Sequence, residues 1–161
     1  AAEAVAVCSG VEANVKWPND LLVDGRKLAG ILAEASPEGA LVVGMGCNVH
    51  WERFPAELAD TATACNLCGR ATSREELLVS WLLAFDRWID APDVVSEAAR
   101  RSATVGTRVR VELAHETYDG VAVGLDEVGR LIVERDGAPR EIVAAGDVVH
   151  VRDPGRVPRA R

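Results

Sequence analysis

The chain has 161 residues, of which 48% are hydrophobic, and it carries 25 acidic and 18 basic side chains. This length and composition suit one ordinary soluble domain, or a small domain joined to part of another. The formal net charge of -7 argues against nucleic acid as the partner, because nucleic-acid binders usually carry a basic surplus. No segment approaches the ~20 apolar residues of a membrane helix, and the first residues lack the features of a signal peptide. We therefore expect a cytoplasmic protein that binds neither nucleic acid nor membrane.

Residues 1–10 are rich in alanine and have the pattern of a helix, yet no capping residue precedes them. We expect them to be the end of a helix that begins upstream, and the chain to be a fragment. The pattern then changes to β-structure, which begins with a short mixed stretch over 11–17. Asp24-Gly25 is a strong signal for a tight hairpin turn, and 36–39 form a second turn. These turns separate three apolar runs, which predict a meander of three antiparallel strands: 21–23, 28–35 and 40–43.

A capping box marks the start of the next element, since Ser73 offers a hydroxyl to a helix N-terminus and Glu76 follows three residues later. Residues 51–72 before it are predicted to be rich in loops. Apolar side chains then recur at helical spacing and predict one stripe that faces the core and lies on the sheet. They are Leu77, Leu78, Trp81, Leu82, Phe85, Trp88 and Ile89. Pro92 suits the first turn of a second, shorter helix that ends near Arg101.

From residue 104 the period changes to two, because apolar and polar residues alternate in short runs between turn residues. Five strands are predicted, over 109–113, 121–125, 131–134, 140–143 and 148–152. So many short strands within about fifty residues favour a small closed barrel.

The predicted fold class is therefore α+β, in two parts. Residues 1–101 form a layer with a mixed or antiparallel sheet and packed helices, and residues 104–152 form the small β-barrel. Residues 153–161 are rich in arginine and proline and are predicted to be a disordered tail.

The four cysteines raise the question of a metal site or of disulfides. Cys8 and Cys47 lie in apolar segments, where a free thiol behaves as a small hydrophobic side chain. Cys65 and Cys68 have CxxC spacing, but a zinc site needs further ligands, and no second pair with matching spacing exists. We therefore predict reduced thiols and no metal site.

Three segments have residue types and spacing that suit a ligand-binding site. Residues 16–20, Lys-Trp-Pro-Asn-Asp, crowd an aromatic ring and polar side chains into a bend, which suits ligand positioning. Lys27 leads an otherwise apolar strand, where a lysine is either simply exposed at the start of the strand or functional. Gly44 and Gly46 alternate on a strand, so a ligand or another backbone can approach closely; a bulge or tight packing is the alternative explanation. They do not fit a dinucleotide-binding fingerprint.

Taken together, KWPNDL, then KLAGIL, then a glycine-rich strand that ends in asparagine closely resemble the central motifs of bacterial biotin–protein ligases. The resemblance continues through the amphipathic helix into a small SH3-like C-terminal domain, and so covers nearly the whole chain. It implies a two-step enzyme that uses biotin and ATP, with Mg²⁺, to form biotinyl-AMP. The biotin is then transferred to a lysine of a biotin carboxyl carrier protein domain.

The resemblance also implies roles for individual residues. Lys27 and Lys16 are the implied catalytic pair: Lys27 stabilises charge at the acyl-phosphate of the ligand, and Lys16 adds positive potential near the phosphates. Asn19 and Asp20 orient the ligand or magnesium-bound phosphate, with Asp20 as the oxygen donor on the metal side. Asn48 matches the family asparagine near the adenine. The other implied ligand-binding residues are Trp17, Gly30, Ile31, Leu32, Gly44 and Gly46.

Two features of that family are absent from this sequence: the GRGRxGR loop that folds over biotin, and the serine- and threonine-rich segment that binds its ureido ring. Both would precede Ala1, so we expect the chain to lack the N-terminal part of the active site and not to form biotinyl-AMP by itself at a useful rate. Apolar strand faces left uncovered would favour association of copies of the chain. Two alternatives stay open: a lipoate or octanoyl transferase of related fold, and a non-catalytic relative that binds partners or dimerises.

Overall fold

The computed structural model describes residues 1–113, 115–144 and 147–150. The chain divides into two compact units, the first formed by Ala1–Ala103 and the second beginning at Thr104. Each unit has its own β-sheet and its own buried apolar residues. None of the helices in these described ranges is long and apolar enough to cross a membrane.

The first unit contains a four-stranded antiparallel sheet in the order β1-β2-β3-β4. Its strands are β1 (Asn14–Lys16), β2 (Asp20–Val23), β3 (Arg26–Ala35) and β4 (Leu41–Cys47). The predicted meander is confirmed, and the short stretch before it adds a fourth strand by pairing with β2. Asp24 and Gly25 join β2 to β3 with φ angles of 50° and 75°, the conformation of the tight turn that this dipeptide predicts.

Four helices of the first unit are described: α1 (Ala2–Ser9), α2 (Cys65–Cys68), α3 (Arg74–Trp88) and α4 (Val94–Arg100). The predicted start of α3 is confirmed, because the Ser73 hydroxyl accepts a hydrogen bond from the Glu76 N–H and the Glu76 carboxylate accepts one from the Ser73 N–H. α3 packs against α1, and Trp88 Nε1 donates to Glu3 Oε2 at 2.7 Å. α2 lies within residues 51–72, which were predicted to be rich in loops.

The apolar stripe of α3 is only partly buried, which differs from the prediction. Leu77 belongs to the core, together with Val5 of α1. Leu78, Leu82 and Ile89 are at least half exposed. The main neighbour of α3 is α1, and a helix of only 8 residues covers part of a stripe this broad. The prediction that the whole stripe faces the core is therefore wrong.

The second unit is a five-stranded antiparallel sheet in the order β8-β7-β6-β5-β9. Its strands are β5 (Arg108–Glu112), β6 (Thr117–Leu125), β7 (Leu131–Arg135), β8 (Arg140–Val143) and β9 (Asp147–His150). Val109 and Val111 on β5, like Leu131 and Val133 on β7, are fully buried, which follows the predicted period of two. The predicted α+β class is thus confirmed as helices with antiparallel sheets.

The closed SH3-like barrel that the sequence suggested is not seen. Within the described part of this unit, β8 pairs only with β7 and β9 pairs only with β5. Closure would require these two edge strands, each of 4 residues, to pair with each other. The predicted tail over 153–161 lies outside the described residues, and the predicted limits 1–101 and 104–152 stay predictions.

Candidate active site

Four predicted site residues form one row across the sheet of the first unit. Lys16 on β1 is paired with Asp20 on β2, Asp20 with Gly30 on β3, and Gly30 with Gly46 on β4. Directly opposed residues of antiparallel strands project from the same face of a sheet. The sheet therefore brings residues from three separate motifs onto a single line.

Lys27 joins this row because β3 is irregular at its start. The register runs from Leu22 opposite Lys27 to Leu21 opposite Ala29, which leaves Leu28 as an extra residue and forms a bulge. In a regular strand, residues three apart lie on opposite faces, whereas here the Lys27 ammonium reaches the Gly30 face. The bulge thus re-aims the lysine towards the row.

The Lys27 ammonium lies 2.7 Å from the Asp20 carboxylate, and the two side chains are 52% and 18% exposed. Gly30 makes room for this ion pair. A Cβ atom at Gly30 would lie 3.1 Å from Asp20 Oδ1 and 3.4 Å from Lys27 Nζ. The family resemblance implies that Gly30 binds the ligand, and in the structure the space left by its absent side chain also accommodates the Lys27–Asp20 pair.

The sequence contains only two lysines, Lys16 and Lys27, among its 18 basic side chains. Both belong to this row or contact it, and all the other basic side chains of the chain are arginines. Two lysines and one aspartate leave the row and Lys27 together with a positive formal charge, although the chain as a whole has a net charge of -7. A site of this sign attracts phosphates and carboxylates.

The turn between β1 and β2 is fastened to β3 by Asn19. The Asn19 side-chain amide donates to the Ile31 carbonyl at 2.7 Å, and the Ile31 N–H donates to the Asn19 carbonyl at 2.9 Å. The Asn19 amide, predicted to orient a ligand, is thus bound to the main chain. Trp17 in the same turn is buried, so its ring supports the turn from within the protein.

Ile31 and Leu32 lie on opposite faces of β3, because successive side chains alternate along a strand. Leu32 is exposed opposite Gly44 and extends the face of the row. Ile31 lines an apolar cavity of about 310 Å³ together with Asn19, Asp20 and Trp81. Both are among the implied ligand-binding residues, but only Leu32 lies on the face of β3 that carries Gly30.

The main chain of Lys27 is held by residues of the segment 51–72. Its N–H donates to the Thr61 carbonyl at 2.7 Å, and its carbonyl accepts from the Thr63 N–H at 2.9 Å. The Asn48 side-chain amide donates to the Thr63 carbonyl at 3.0 Å, while the Asn48 N–H donates to the Leu28 carbonyl at 2.9 Å. Asn48 therefore fixes the segment that carries Lys27.

A cavity of about 570 Å³ lies against this part of the sheet. Four of the predicted site residues line it, namely Lys27, Gly30, Gly46 and Asn48. Four residues from the segment 51–72 also line it: Trp51, Phe54, Leu58 and Ala62.

The Trp51 and Phe54 rings form an aromatic wall of this cavity. They are stacked, with centroids 4.5 Å apart and planes at 20°. Trp51 is 39% exposed and Phe54 only 8% exposed, so Phe54 backs a ring that solvent can reach. Sequence reasoning missed both residues, since the signal consists of two aromatic residues three positions apart inside a stretch without periodicity.

Cys47, which follows Gly46 of the row, lies beside Cys65. A hydrogen bond between Cys47 and Cys65, together with burial, raises the pKa of the Cys47 thiol. The same bond lowers the pKa of the Cys65 thiol. All four cysteines have free thiols. The described residues include no group of three or more histidine, cysteine or acidic side chains that could hold a metal ion.

Comparison with known proteins yields two family models that match separate parts of the chain. The Biotin/lipoate A/B protein ligase family matches residues 4–50, and the Biotin protein ligase C terminal domain matches residues 104–151. The first range contains the row, Lys27 and Asn48. The second range begins where the second unit begins.

Among curated proteins, the biotin–[acetyl-CoA-carboxylase] ligase of Mycobacterium tuberculosis is 39% identical over 148 residues, which are 88% of this chain and 54% of that protein. The bifunctional ligase/repressor BirA of Bacillus spizizenii is 31% identical over 163 residues, which are 88% of this chain and 50% of that protein. The chain thus spans about half the length of the curated relatives that it matches.

Among solved structures, the biotin protein ligase from Aquifex aeolicus in complex with biotin and ATP has a TM-score of 0.79 to this chain, at 24% identity. The likeness covers 94% of this chain and 67% of that chain, and it shows a shared fold. The KWPND and KLAGI motifs, the two family models and the 39% identity to a curated ligase agree. The chain belongs to the biotin protein ligase family.

Proposed function

We propose that this chain takes part in the ATP-dependent attachment of biotin to a lysine of a biotin carboxyl carrier protein, through biotinyl-AMP. The observation that carries the proposal is the Lys27–Asp20 pair, which lies across Gly30 on the segment that the ligase family model matches. The names of the curated relatives support biotin and a carboxylase carrier as the substrates. Since the chain spans about half of those relatives, it supplies one wall of the site.

The positive row suits the first chemical step. A carboxylate oxygen of biotin attacks the α-phosphorus of ATP, the bond to the bridging oxygen breaks, and pyrophosphate leaves. Negative charge builds up on the phosphoryl oxygens, and an ammonium held in place beforehand stabilises it without reorganising. Lys27 takes this role because its main chain is fixed by Thr61 and Thr63. Lys16, in the same row, adds positive potential.

The second step transfers the biotinyl group. The amine of the acceptor lysine attacks the acyl carbon, the new amide bond replaces the bond to phosphate, and AMP leaves. The Lys27 ammonium, close to the same acyl-phosphate, stabilises the charge that develops on the departing phosphate. One positioned group thus serves both steps.

The cavity has room for the nucleotide beside the row. We assign the base to the aromatic wall, because stacking on an exposed ring backed by a buried one suits a planar heterocycle. Asn48 lines the same cavity as that wall and Lys27, which agrees with the role near the adenine that the family resemblance implies. Gly46, where nothing lies within 4 Å of an added Cβ, leaves the sheet open to a ligand.

Mg²⁺ belongs to the proposal as the ion that accompanies ATP and neutralises its phosphates. Asp20 fits it by donor type, since Mg²⁺ prefers carboxylate oxygens. One Asp20 oxygen is bound to Lys27 at 2.7 Å, so the carboxylate also serves to hold the lysine. Asn19 positions the turn that carries Asp20.

Location and assembly are further parts of the proposal. Four free thiols support a reducing compartment such as the cytoplasm. The exposed apolar residues of α3 support association with a further protein surface, of another copy or of the carrier. The match over residues 104–151 supports a second unit that serves as a ligase C-terminal domain.

A lipoate or octanoyl transferase is the second candidate, because the family model over residues 4–50 names lipoate beside biotin. The match of residues 104–151 to a biotin protein ligase C-terminal domain favours biotin. A non-catalytic relative would keep the fold without the need for the ion pair between Lys27 and Asp20.

The test measures biotin transfer to a biotin carboxyl carrier domain by a ligase in which this chain replaces the matching half of the Mycobacterium tuberculosis relative. Lys27→Ala should lower the rate by a factor on the order of 10²–10³, the usual effect of removing one preorganised group at developing charge. Arg108→Ala is the control, because Arg108 lies in the second unit and pairs with Asp136. Equal, small losses in both variants would remove Lys27 from the active site. Faster transfer of lipoate than of biotin would favour the second candidate.

A further inference from the structure

Asn66, on α2, makes an unusual pair of hydrogen bonds to the main chain of Trp51. Its side-chain oxygen accepts from the Trp51 N–H at 3.0 Å, and its side-chain nitrogen donates to the Trp51 carbonyl at 2.8 Å. One carboxamide thus satisfies both polar groups of a single residue. This is the pairing that a neighbouring strand would provide.

These two hydrogen bonds continue a series of hydrogen bonds between the segment after β4 and the start of α2. The Cys65 N–H donates to the Asn48 carbonyl at 2.9 Å, and the Asn66 N–H donates to the Val49 carbonyl at 3.3 Å. Cys65 is fully buried in the core, so the series has a firm anchor. The Asn66 side chain extends this anchoring to Trp51, the solvent-exposed ring of the aromatic wall.

We propose that Asn66 is a positioning residue for nucleotide binding, which holds Trp51 in place so that the base meets a preformed aromatic wall. The inference rests on the proposed function, which assigns the base to Trp51 and Phe54. Asn66 acts through Trp51. Without the carboxamide, the main chain of Trp51 loses both of these partners, and the ring must be ordered when the ligand binds. Ordering on binding lowers affinity.

The side-chain chemistry explains why an asparagine stands here. A carboxamide has one acceptor and one donor, which match the N–H and C=O of one residue. Aspartate would keep the acceptor but would place negative charge against the Trp51 carbonyl. Alanine would remove both bonds.

The first experiment follows amide hydrogen exchange in the ligand-free chain. In Asn66→Ala the Trp51 amide should exchange about tenfold faster or more, as expected for the loss of a bond worth about 1.4 kcal/mol. Asn66→Asp keeps the acceptor and should retain more of the protection than Asn66→Ala. Leu67→Ala, at the exposed next position of α2, is the matched control and should leave the Trp51 amide unchanged. Unchanged exchange in Asn66→Ala would overturn the inference.

The second experiment compares ATP, in the presence of Mg²⁺, with inorganic pyrophosphate, by calorimetry on the same chains. Pyrophosphate probes the lysines without the base. Asn66→Ala should weaken ATP binding about tenfold and change pyrophosphate binding by less than about twofold. Equal losses for both ligands would mean a general structural role and would overturn the inference. Failure of the wild-type chain to bind ATP would overturn the proposed function and the nucleotide role of Asn66 together, whereas unchanged exchange with intact ATP binding would overturn the inference alone.

Discussion

At the scale of single residues, the geometry around Lys27 depends on the absence of a side chain at Gly30. Gly30 has no Cβ, and the Lys27–Asp20 ion pair occupies the space in front of it. Gly30 does not need a positive φ angle, so its role is spatial rather than conformational. Gly44, further out on the same face, has nothing within 4 Å of an added Cβ. These two glycines therefore predict different outcomes for the same substitution.

Gly30→Ala should loosen the ion pair in the ligand-free chain. The Cβ at 3.1 Å from Asp20 Oδ1 forces one partner to shift. Because a half-exposed ion pair contributes about 0–1 kcal/mol, acetylation of Lys27 should become faster by up to about fivefold. The rate is measured by mass spectrometry of the peptide that contains Lys27. Gly44→Ala is the control, and equal Lys27 rates in both variants would show that Gly30 does not shape the pair.

The residues of the site could be predicted from the sequence only where they belong to a short, continuous motif. The turn at Asn19 and Asp20, the lysines and the glycines were found because they lie in short, specific segments. The hydrogen bond from the Asn19 side chain to Ile31 could not be predicted from these segments, because the pairing of β2 with β3 brings the two residues together. The bulge that re-aims Lys27 also depends on register, which no single segment encodes.

At the scale of elements, the capping box predicts how α3 responds to substitution. Ser73→Ala removes the hydroxyl that accepts from the Glu76 N–H, and this should lower the free energy of unfolding by about 1 kcal/mol. Urea denaturation of the variant measures the effect. Ser80→Ala is the matched control, since the same change inside α3 improves helix propensity and should not destabilise. A loss at Ser80 as large as that at Ser73 would contradict the role of the cap.

The capping box also has a defined pH dependence. Hydrogen bonds from the Ser73 N–H and the Thr72 hydroxyl hold the pKa of Glu76 below its usual value of 4.5. A lowered folded-state pKa means that this contribution to stability is fully present above pH 4.5 and is lost as the pH falls through the folded-state value. Glu76→Gln should lack this acid-dependent part of the unfolding curve.

The elements that sequence reasoning missed are those that long-range contacts create. α2 has only 4 residues and no amphipathic period, and it is fixed by Asn48 and Val49 rather than by its own pattern. The strand-like contact of residues 61–63 with Lys27 has the same origin. The apolar stripe of α3, in contrast, predicted the helix correctly but predicted more burial than the structure has. The spacing of apolar residues indicates a helix, but it does not indicate which other element packs against that helix.

At the scale of the whole molecule, the change of period near residue 104 predicts two parts of the chain, and the limits 1–101 and 104–152 stay predictions. Each unit has a sheet whose described strands pair within that unit. A closed barrel could not be derived in the same way, since closure depends on the pairing of the first and last elements of a sheet rather than on the period of its strands.

Residues 1–103 should therefore fold without the second unit. Their backbone amide resonances should overlap those of the same residues in the full chain, because their sheet, helices and core lie within the unit. A shorter piece, 1–50, is the control: it lacks Thr61 and Thr63, which hold Lys27, and should not give a dispersed spectrum. Collapse of the spectrum of 1–103 would contradict the independence of the unit.

The most direct test of the account uses the fact that this chain has only two lysines. The chain is acetylated with and without a non-hydrolysable sulfamoyl analogue of biotinyl-AMP, and the modification of Lys16 and Lys27 is followed by mass spectrometry. Because hydrogen bonds to charged groups contribute about 1.5–3 kcal/mol, saturating analogue should slow acetylation of Lys27 by about tenfold or more. Protection should persist in Arg108→Ala, which alters only the second unit. Identical rates of Lys27 acetylation with and without the analogue would contradict the claim that Lys27 and the row bind the adenylate.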